Sequence, residues 1–246
     1  ARELARLEAG IEEQERAVKA AQDGLWQAEQ RRQTRFLAHH PLPESVVRGV
    51  SPTTASRLAG TPIDHPGLDY PQAGWVRPAA LCARLAAQPG IRIRRGEVVA
   101  LQRNAAAWSL TLADGERLGA DQVVIATAAR ANRFAHSATL PLQPVRGQIS
   151  QLPLPPGAPS LGRVICAGGY VSPPLHGVLT FGATFAPREG DSELRDADHA
   201  ANLAELEATL PALVAALREA GAKLDPEQLQ GRAAVRAASP DKSPYA

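Results

Sequence analysis

The sequence predicts a mixed α/β (α+β) chain in two parts, and three observations carry that reading. Between residues 91 and 130 the apolar residues follow the two-residue period of strands, folded back on themselves at Asp114-Gly115. Between residues 143 and 185 further strand-like runs follow one another through short connections, the pattern of an antiparallel sheet with one wet face. A helical pair and a closing strand, LQGRAAVRA, then return the chain, so strands and helices fall into separate blocks.

Taken in order, residues 1–38 have helical composition, with Leu4, Leu7, Ile11, Val18 and Leu25 spaced by three, four or seven. Gly10 and Asp23-Gly24 divide the segment. Because the heptads are not sustained, an amphipathic surface helix packed on its own domain accounts for the pattern better than a partner-binding coiled coil does. From His40 to Pro78 proline, glycine and short polar turns dominate; within them Ser51-Pro52 caps a short helix that ends at Gly60. A second helix starts at Arg77-Pro78 and stops at Pro89-Gly90.

The period then changes. IRIRRGEVVALQR reads as a strand, WSLTL and ERLGA as the arms of a hairpin whose Asp114-Gly115 turn exploits the freedom of glycine at positive φ, and DQVVIATAA as a fully buried strand with the β-branched density of a parallel-sheet centre. QPVRGQISQLP, RVICA, GGYVSPPL and GVLTFGATF supply the antiparallel strands, with Leu175-His176-Gly177 as a tight connection. Helices follow at about 196–210 and 211–220, the second restarting at Pro211.

The 246 residues suffice for one large or two modest domains. Apolar residues at 44% and charged residues at 21% exclude wholesale disorder, and a net charge of +2 permits a polyanionic partner without requiring one. Two distant cysteines, Cys82 and Cys166, argue against a disulfide framework or cysteine metal site and for the cytoplasm. No apolar run reaches the roughly 18 residues of a membrane helix. The chain begins Ala1-Arg2-Glu3 and contains no methionine, which suggests a fragment of a longer protein.

Familiar catalytic templates are missing: there is no GxSxG, HExxH, Walker A or EF-hand loop, and His39-His40 and His65 lie in turns without ligand spacing. No metal is expected. No GxGxxG follows a strand, so dinucleotide binding by this chain unaided is not expected either.

A resemblance enters with a series of blocks. GWVRPAALCARL, DQVVIATAARANRF, LPLQPVRGQISQLP, GGYVSPPLHGVLTFGATF and AAVRAASPDKSPY resemble, in order and spacing, the FAD-dependent oxidoreductase modules of bifunctional tRNA-modifying enzymes, within the D-amino-acid oxidase and glycine oxidase superfamily. The resemblance runs from about Trp26 onward. It implies a partial FAD-binding Rossmann-like domain (75–130 and 229–246), an antiparallel-sheet substrate domain (39–74 and 131–228), and the helical segment 1–38. It also implies FAD as cofactor and oxidative removal of the carboxymethyl group from a 5-carboxymethylaminomethyl-2-thiouridine at the tRNA wobble position. A methyltransferase domain, fused or separate, would act on the product. The alternatives are a small-molecule amine or amino-acid oxidase of the same superfamily and a cofactor-free binding or scaffold fragment.

Carried over position by position, the resemblance makes Arg236 the holder of the substrate carboxylate, a role that suits a planar guanidinium able to bind both oxygens and orient the neighbouring C–H. Tyr170 falls on the substrate face. Val98 matches the position that meets the adenine of FAD, and Ala126-Thr127-Ala128 the small-residue turn beneath its phosphates, where small side chains permit close backbone approach. Gly147 and Gln148 lie where the chain passes the flavin. The family's glycine-rich first βαβ unit and its flavin-covering C-terminal segment have no counterpart in the sequence, so weak flavin binding is the expectation. Arg31, Arg32 and Arg35 form a basic cluster that reads as a solvated helix face ahead of a phosphate contact.

Overall fold

A computed structural model describes residues 31–39 and 42–241. Most of the helical segment expected over 1–38, with its divisions at Gly10 and Asp23-Gly24, lies outside the described residues; 31–39 are helical (α1). The chain continues through β1 (Arg48–Val50), α2 (Pro52–Ala59), β2 (Gly67–Asp69) and α3 (Pro78–Ala86) to three strands, β3 (Val98–Arg103), β4 (Trp108–Leu112) and β5 (Arg117–Ala120). Two 3-10 turns, Ala128–Arg133 and Ala135–Ser137, lead into β6 (Gln143–Pro153), followed by β7 (Ile165–Cys166), β8 (Tyr170–Leu175), β9 (Val178–Gly182) and β10 (Ala186–Pro187). Helices α4 (Asp196–Thr209) and α5 (Pro211–Glu219) and strand β11 (Gln230–Ala238) complete it. The chain divides into two units, passing between them within β6 and β11.

One unit comprises 1–75, 150–182 and 196–230. Its α2 is set by the local code: Ser51 Oγ accepts from the Thr54 N–H at 3.3 Å, Pro52 fills the first turn, and Gly60 ends the helix at φ 77°. Only glycine fits at position 60, since a Cβ there would also stand 2.9 Å from the Ser160 carbonyl. Strands β1 and β2 pair antiparallel and are tied by Arg48 to the buried Asp69 carboxylate at 2.9 Å. In the larger sheet, β8 and β9 form a hairpin through His176 and Gly177, both at positive φ as a two-residue turn of the favoured twist requires.

Alternation along these strands sends Leu152, Val171, Leu179 and Phe181 to one face, where Leu206, Leu210, Leu213 and Leu217 of the helical pair cover them. Each such buried side chain contributes about 1.5–3 kcal/mol of transfer free energy. The pair bends by 110° where Pro211 restarts the helix. No single helix among the described residues is long and apolar enough to cross a membrane.

The other unit comprises 76–149, 183–195 and 231–246. Strands β3, β4 and β5 form an antiparallel meander, with Gly115 at φ 87° in the predicted turn. The first half of β6 pairs with β10, Arg146 opposite Ala186, and β11 pairs with β6 as well. One expectation is corrected here: DQVVIATAA is not a buried parallel-sheet strand. Residues 122–127 carry no strand assignment and Val124 is 88% exposed. An apolar run becomes a central strand only when neighbours on both sides take up its N–H and C=O groups, and no described strand pairs with it. Likewise, only Val98–Arg103 of the predicted strand IRIRRGEVVALQR is extended into the sheet.

Candidate functional site

Strand alternation builds the first constellation around Gly147. Its neighbours Arg146 and Gln148 point together to one side, and Arg146 Nη2 donates to Gln148 Oε1 at 2.9 Å. Both side chains are fully buried. They grip the segment that follows β10: Arg146 Nε meets Asp191 at 3.2 Å and its Nη2 donates to the Glu193 carbonyl, while Gln148 Nε2 donates to the Arg195 carbonyl at 2.8 Å and Gln148 Oε1 accepts from the Arg195 N–H at 2.9 Å. Arg195 in turn pairs with Glu189 at 2.6 Å and Asp191 at 2.5 Å. Desolvation would raise the Asp191 carboxyl, but the Glu193 N–H and the charges of Arg195 and Arg146 outweigh it and hold the group below the usual carboxylate range. A buried guanidinium is tolerable only when so paired.

On the opposite side of β6 the missing side chain of Gly147 makes room for Arg236. A Cβ at position 147 would lie 2.0 Å from Arg236 Nη2 and 2.8 Å from the Thr184 carbonyl. Arg236 Nη2 donates to that carbonyl at 3.2 Å, and the guanidinium carbon sits 5.7 Å from the centre of the Phe185 ring, a cation–π distance. Thr184 is itself fixed to β6: its Oγ1 accepts from the Gln148 N–H at 3.0 Å and its N–H donates to the Gln148 carbonyl at 3.1 Å. Arg236 is exposed, and no carboxylate among the described residues pairs with it. A guanidinium has five N–H donors. Aimed by one carbonyl and one aromatic face, this one retains the donors needed to bind a carboxylate.

Tyr170 belongs to the other unit. It is 39% exposed and lines an open cleft of about 280 Å³ with Phe181, Gly182, Asn202, Glu205 and Leu206. Beneath the sheet, Ser150 Oγ lies 2.8 Å from His199 Nδ1 and accepts from Asn202 Nδ2 at 3.0 Å. All three are buried, and burial pushes the His199 pKa down against the pull of Asp196 and Asp198, so its ring is neutral at neutral pH.

Val98 is half-buried at the start of β3, opposite Leu112 and beside a bulge. Ala126, Thr127 and Ala128 are exposed; Ala128 has φ 49° and opens the first 3-10 turn. An ion pair between Glu97, next to Val98, and Arg133, at the end of that turn, joins the two segments at 3.0 Å.

Of the residues expected from sequence, then, Gly147, Gln148 and Arg236 are brought together; Val98 and 126–128 form a second group in the same unit, and Tyr170 stands in the other unit. Gln148 has a defined partner set, gripping residues 191–195. The reading from sequence missed Arg146, Asp191, Arg195, Thr184 and Phe185. The signal for the first was present in PVRGQ, where a two-residue period puts Arg146 and Gln148 on one face and Gly147, beside Val145, on the other. Among the described residues, no cluster of His, Cys, Asp or Glu could hold a metal ion.

Residues 2–246 match the model of the family described as FAD dependent oxidoreductase, DAO. Curated relatives include the tRNA 5-methylaminomethyl-2-thiouridine biosynthesis bifunctional protein MnmC of Chromohalobacter salexigens, 61% identical over 217 residues, covering 87% of this chain and 31% of that protein. The MnmC of Chromobacterium violaceum is 40% identical over 237 residues, covering 91% and 35%. The chain thus spans about a third of the length of these relatives. Among solved structures, glycine oxidase from Geobacillus kaustophilus superposes with a TM-score of 0.69 at 22% identity, covering 89% of this chain and 57% of that one, and L-proline dehydrogenase from P. horikoshii with 0.65 at 17%, covering 80% and 54%. These structures share the fold, a mixed sheet-and-helix architecture of D-amino-acid-oxidase-like flavoenzymes. A family pattern over nearly the whole chain and a 61% identical relative make this protein a member of the FAD-dependent oxidoreductase (DAO) family.

Proposed function

We propose that this chain supplies the substrate-binding part of a flavoenzyme that oxidatively removes the carboxymethyl group of 5-carboxymethylaminomethyl-2-thiouridine in tRNA, leaving the aminomethyl nucleoside and glyoxylate. The observation that carries the reading is the Arg236 guanidinium, exposed, with no carboxylate partner among the described residues and seated over Gly147. The substrate group, –NH–CH2–COO⁻, offers one carboxylate beside the C–H bond that must break. Bidentate contact with Arg236 would fix that carboxylate and, through it, the direction of the methylene hydrogens. Phe185 and the Thr184 carbonyl hold the guanidinium plane in one orientation, so less freedom is lost when substrate binds.

The exposed stretch Ala126–Thr127–Ala128 carries nothing bulkier than threonine and turns through a left-handed alanine, which suits close approach of a phosphate-bearing group to its backbone. These residues, with Val98 and the β6 backbone at Gly147 and Gln148, fit a share in holding FAD. When bound, FAD supplies the two-electron acceptor for the C–H bond. Hydrolysis of the resulting C=N bond then separates the amine from glyoxylate. The aminomethyl product is the acceptor for a methyltransferase, fused or separate, and a tRNA substrate places the reaction in the cytoplasm. The test is the FAD-loaded protein given tRNA bearing the carboxymethylaminomethyl group. Glyoxylate release from it, with no peroxide from glycine or sarcosine, is expected; peroxide from the free amino acids and none of the tRNA reaction would replace this reading by a small-molecule oxidase.

A further inference from the structure

The formal charge of +2 hides a segregation. The stretches 76–149, 183–195 and 231–246 carry fifteen Lys and Arg against eight Asp and Glu, a net of +7; the remaining stretches carry twelve against seventeen, a net of −5. Within the basic unit four of the eight acidic residues are held in ion pairs: Glu97 with Arg133, Glu116 with Arg94, and Glu189 and Asp191 with Arg195. Arg92, Arg95, Arg103, Arg117 and Arg130 are exposed and have no acidic partner among the described residues. Free cationic donors of this number at neutral pH attract a polyanion.

One place adds aromatic surface to the charge. Arg103 and Trp108 are directly opposite in the β3–β4 register, so their side chains share a face, and the guanidinium carbon lies 5.6 Å from the indole centre. The His136 ring meets the same indole edge-on, with centroids 4.9 Å apart at 70°. His136 follows closely on the 3-10 turn that carries Arg130 and Arg133. A guanidinium plane supported from behind by an indole, with an imidazole alongside, is the arrangement on which an unstacked nucleobase rests while neighbouring arginines take its phosphates.

We infer that the Arg103–Trp108–His136 cluster, with Arg130, is an RNA-contacting surface of the basic unit, binding the backbone and one unpaired base of the tRNA substrate. The inference rests on the proposed tRNA activity for the identity of the RNA, but the contact itself is read independently of turnover. The exposed arginines can be changed without touching the core, so the test uses the FAD-loaded double variant Arg103→Gln/Arg130→Gln. The comparator is Arg57→Gln/Lys223→Gln, which removes the same charge from exposed positions of the acidic unit. Fluorescein-labelled tRNA is titrated by anisotropy at several salt concentrations.

The Arg103/Arg130 variant should bind about tenfold or more weakly, with the slope of log affinity against log salt reduced by about 1 to 2, and the comparator should bind nearly as the unsubstituted protein does. Glyoxylate release from the free carboxymethylaminomethyluridine nucleoside should be equal in all three proteins, while kcat/KM on tRNA falls only in the first. Unchanged tRNA affinity in the Arg103/Arg130 variant, or an equal loss in the comparator, would overturn the surface. Absence of glyoxylate from both substrates in the unsubstituted protein would instead overturn the proposed reaction, and the anisotropy result would still decide the surface.

Discussion

The two units solve different problems with the same chain. In the acidic unit, strand alternation and two amphipathic helices converge on a continuous apolar core from Leu152 to Leu229, with His199, Asn202 and Ser150 satisfied beneath the sheet. In the basic unit the deeply buried side chains include polar ones, Arg146 and Gln148, whereas apolar Ile91, Ile93, Val99 and Val124 face solvent. The large apolar core cluster belongs to the first unit, and the exposed arginines named above, which have no acidic partner among the described residues, to the second. Elements that bind and exchange ligands tend to come from the less tightly packed part of a fold.

That contrast can be broken most directly by paired truncations. Leu217→Ala, at a fully buried position of the helical pair, should cost about 2–5 kcal/mol in chemical denaturation. Val124→Ala, at an exposed position of the basic unit, should change stability by less than about 0.5 kcal/mol. Comparable losses would show that the two units are packed alike.

A smaller effect sharpens the same comparison through pH. The folded state lowers the His199 pKa from about 6.5, so the unfolded chain binds the proton more readily. The contribution of neutral His199 is therefore fully present above about 6.5 and is lost as pH falls below it. Unfolding midpoints followed from pH 7.5 to 5.5 should fall on acidification, and His199→Gln should flatten that trend. A His199→Gln variant with the same pH dependence would assign the effect to other groups.

Much of the fold was legible because local chemistry decided it. Ser51-Pro52 and Gly60 bound one helix, Pro211 restarts another, and His176-Gly177 closes a hairpin, each by a conformation that few other residues adopt. VVIATA was misread for the converse reason: its β-branched residues permit a strand, but pairing is a non-local event that no window of sequence contains. The candidate site divides the same way. Resemblance pointed to Arg236 and Gly147, whereas the steric reason that joins them, a guanidinium occupying the volume of an absent Cβ, arises only when β6 and β11 pair. The grip of Arg146 and Gln148 on residues 191–195 spans more than forty positions and was invisible for that reason.

The central claim is that Arg236 holds the carboxylate of the group being oxidised. Steady-state glyoxylate release by the FAD-loaded Arg236→Ala variant, compared with the unsubstituted protein, tests it most directly. Losing a charge-assisted bidentate contact should cost about 1.5–3 kcal/mol, a fall in kcat/KM of roughly ten- to a hundredfold, with the flavin still bound. An unchanged kcat/KM on the carboxymethylamino substrate would contradict the account.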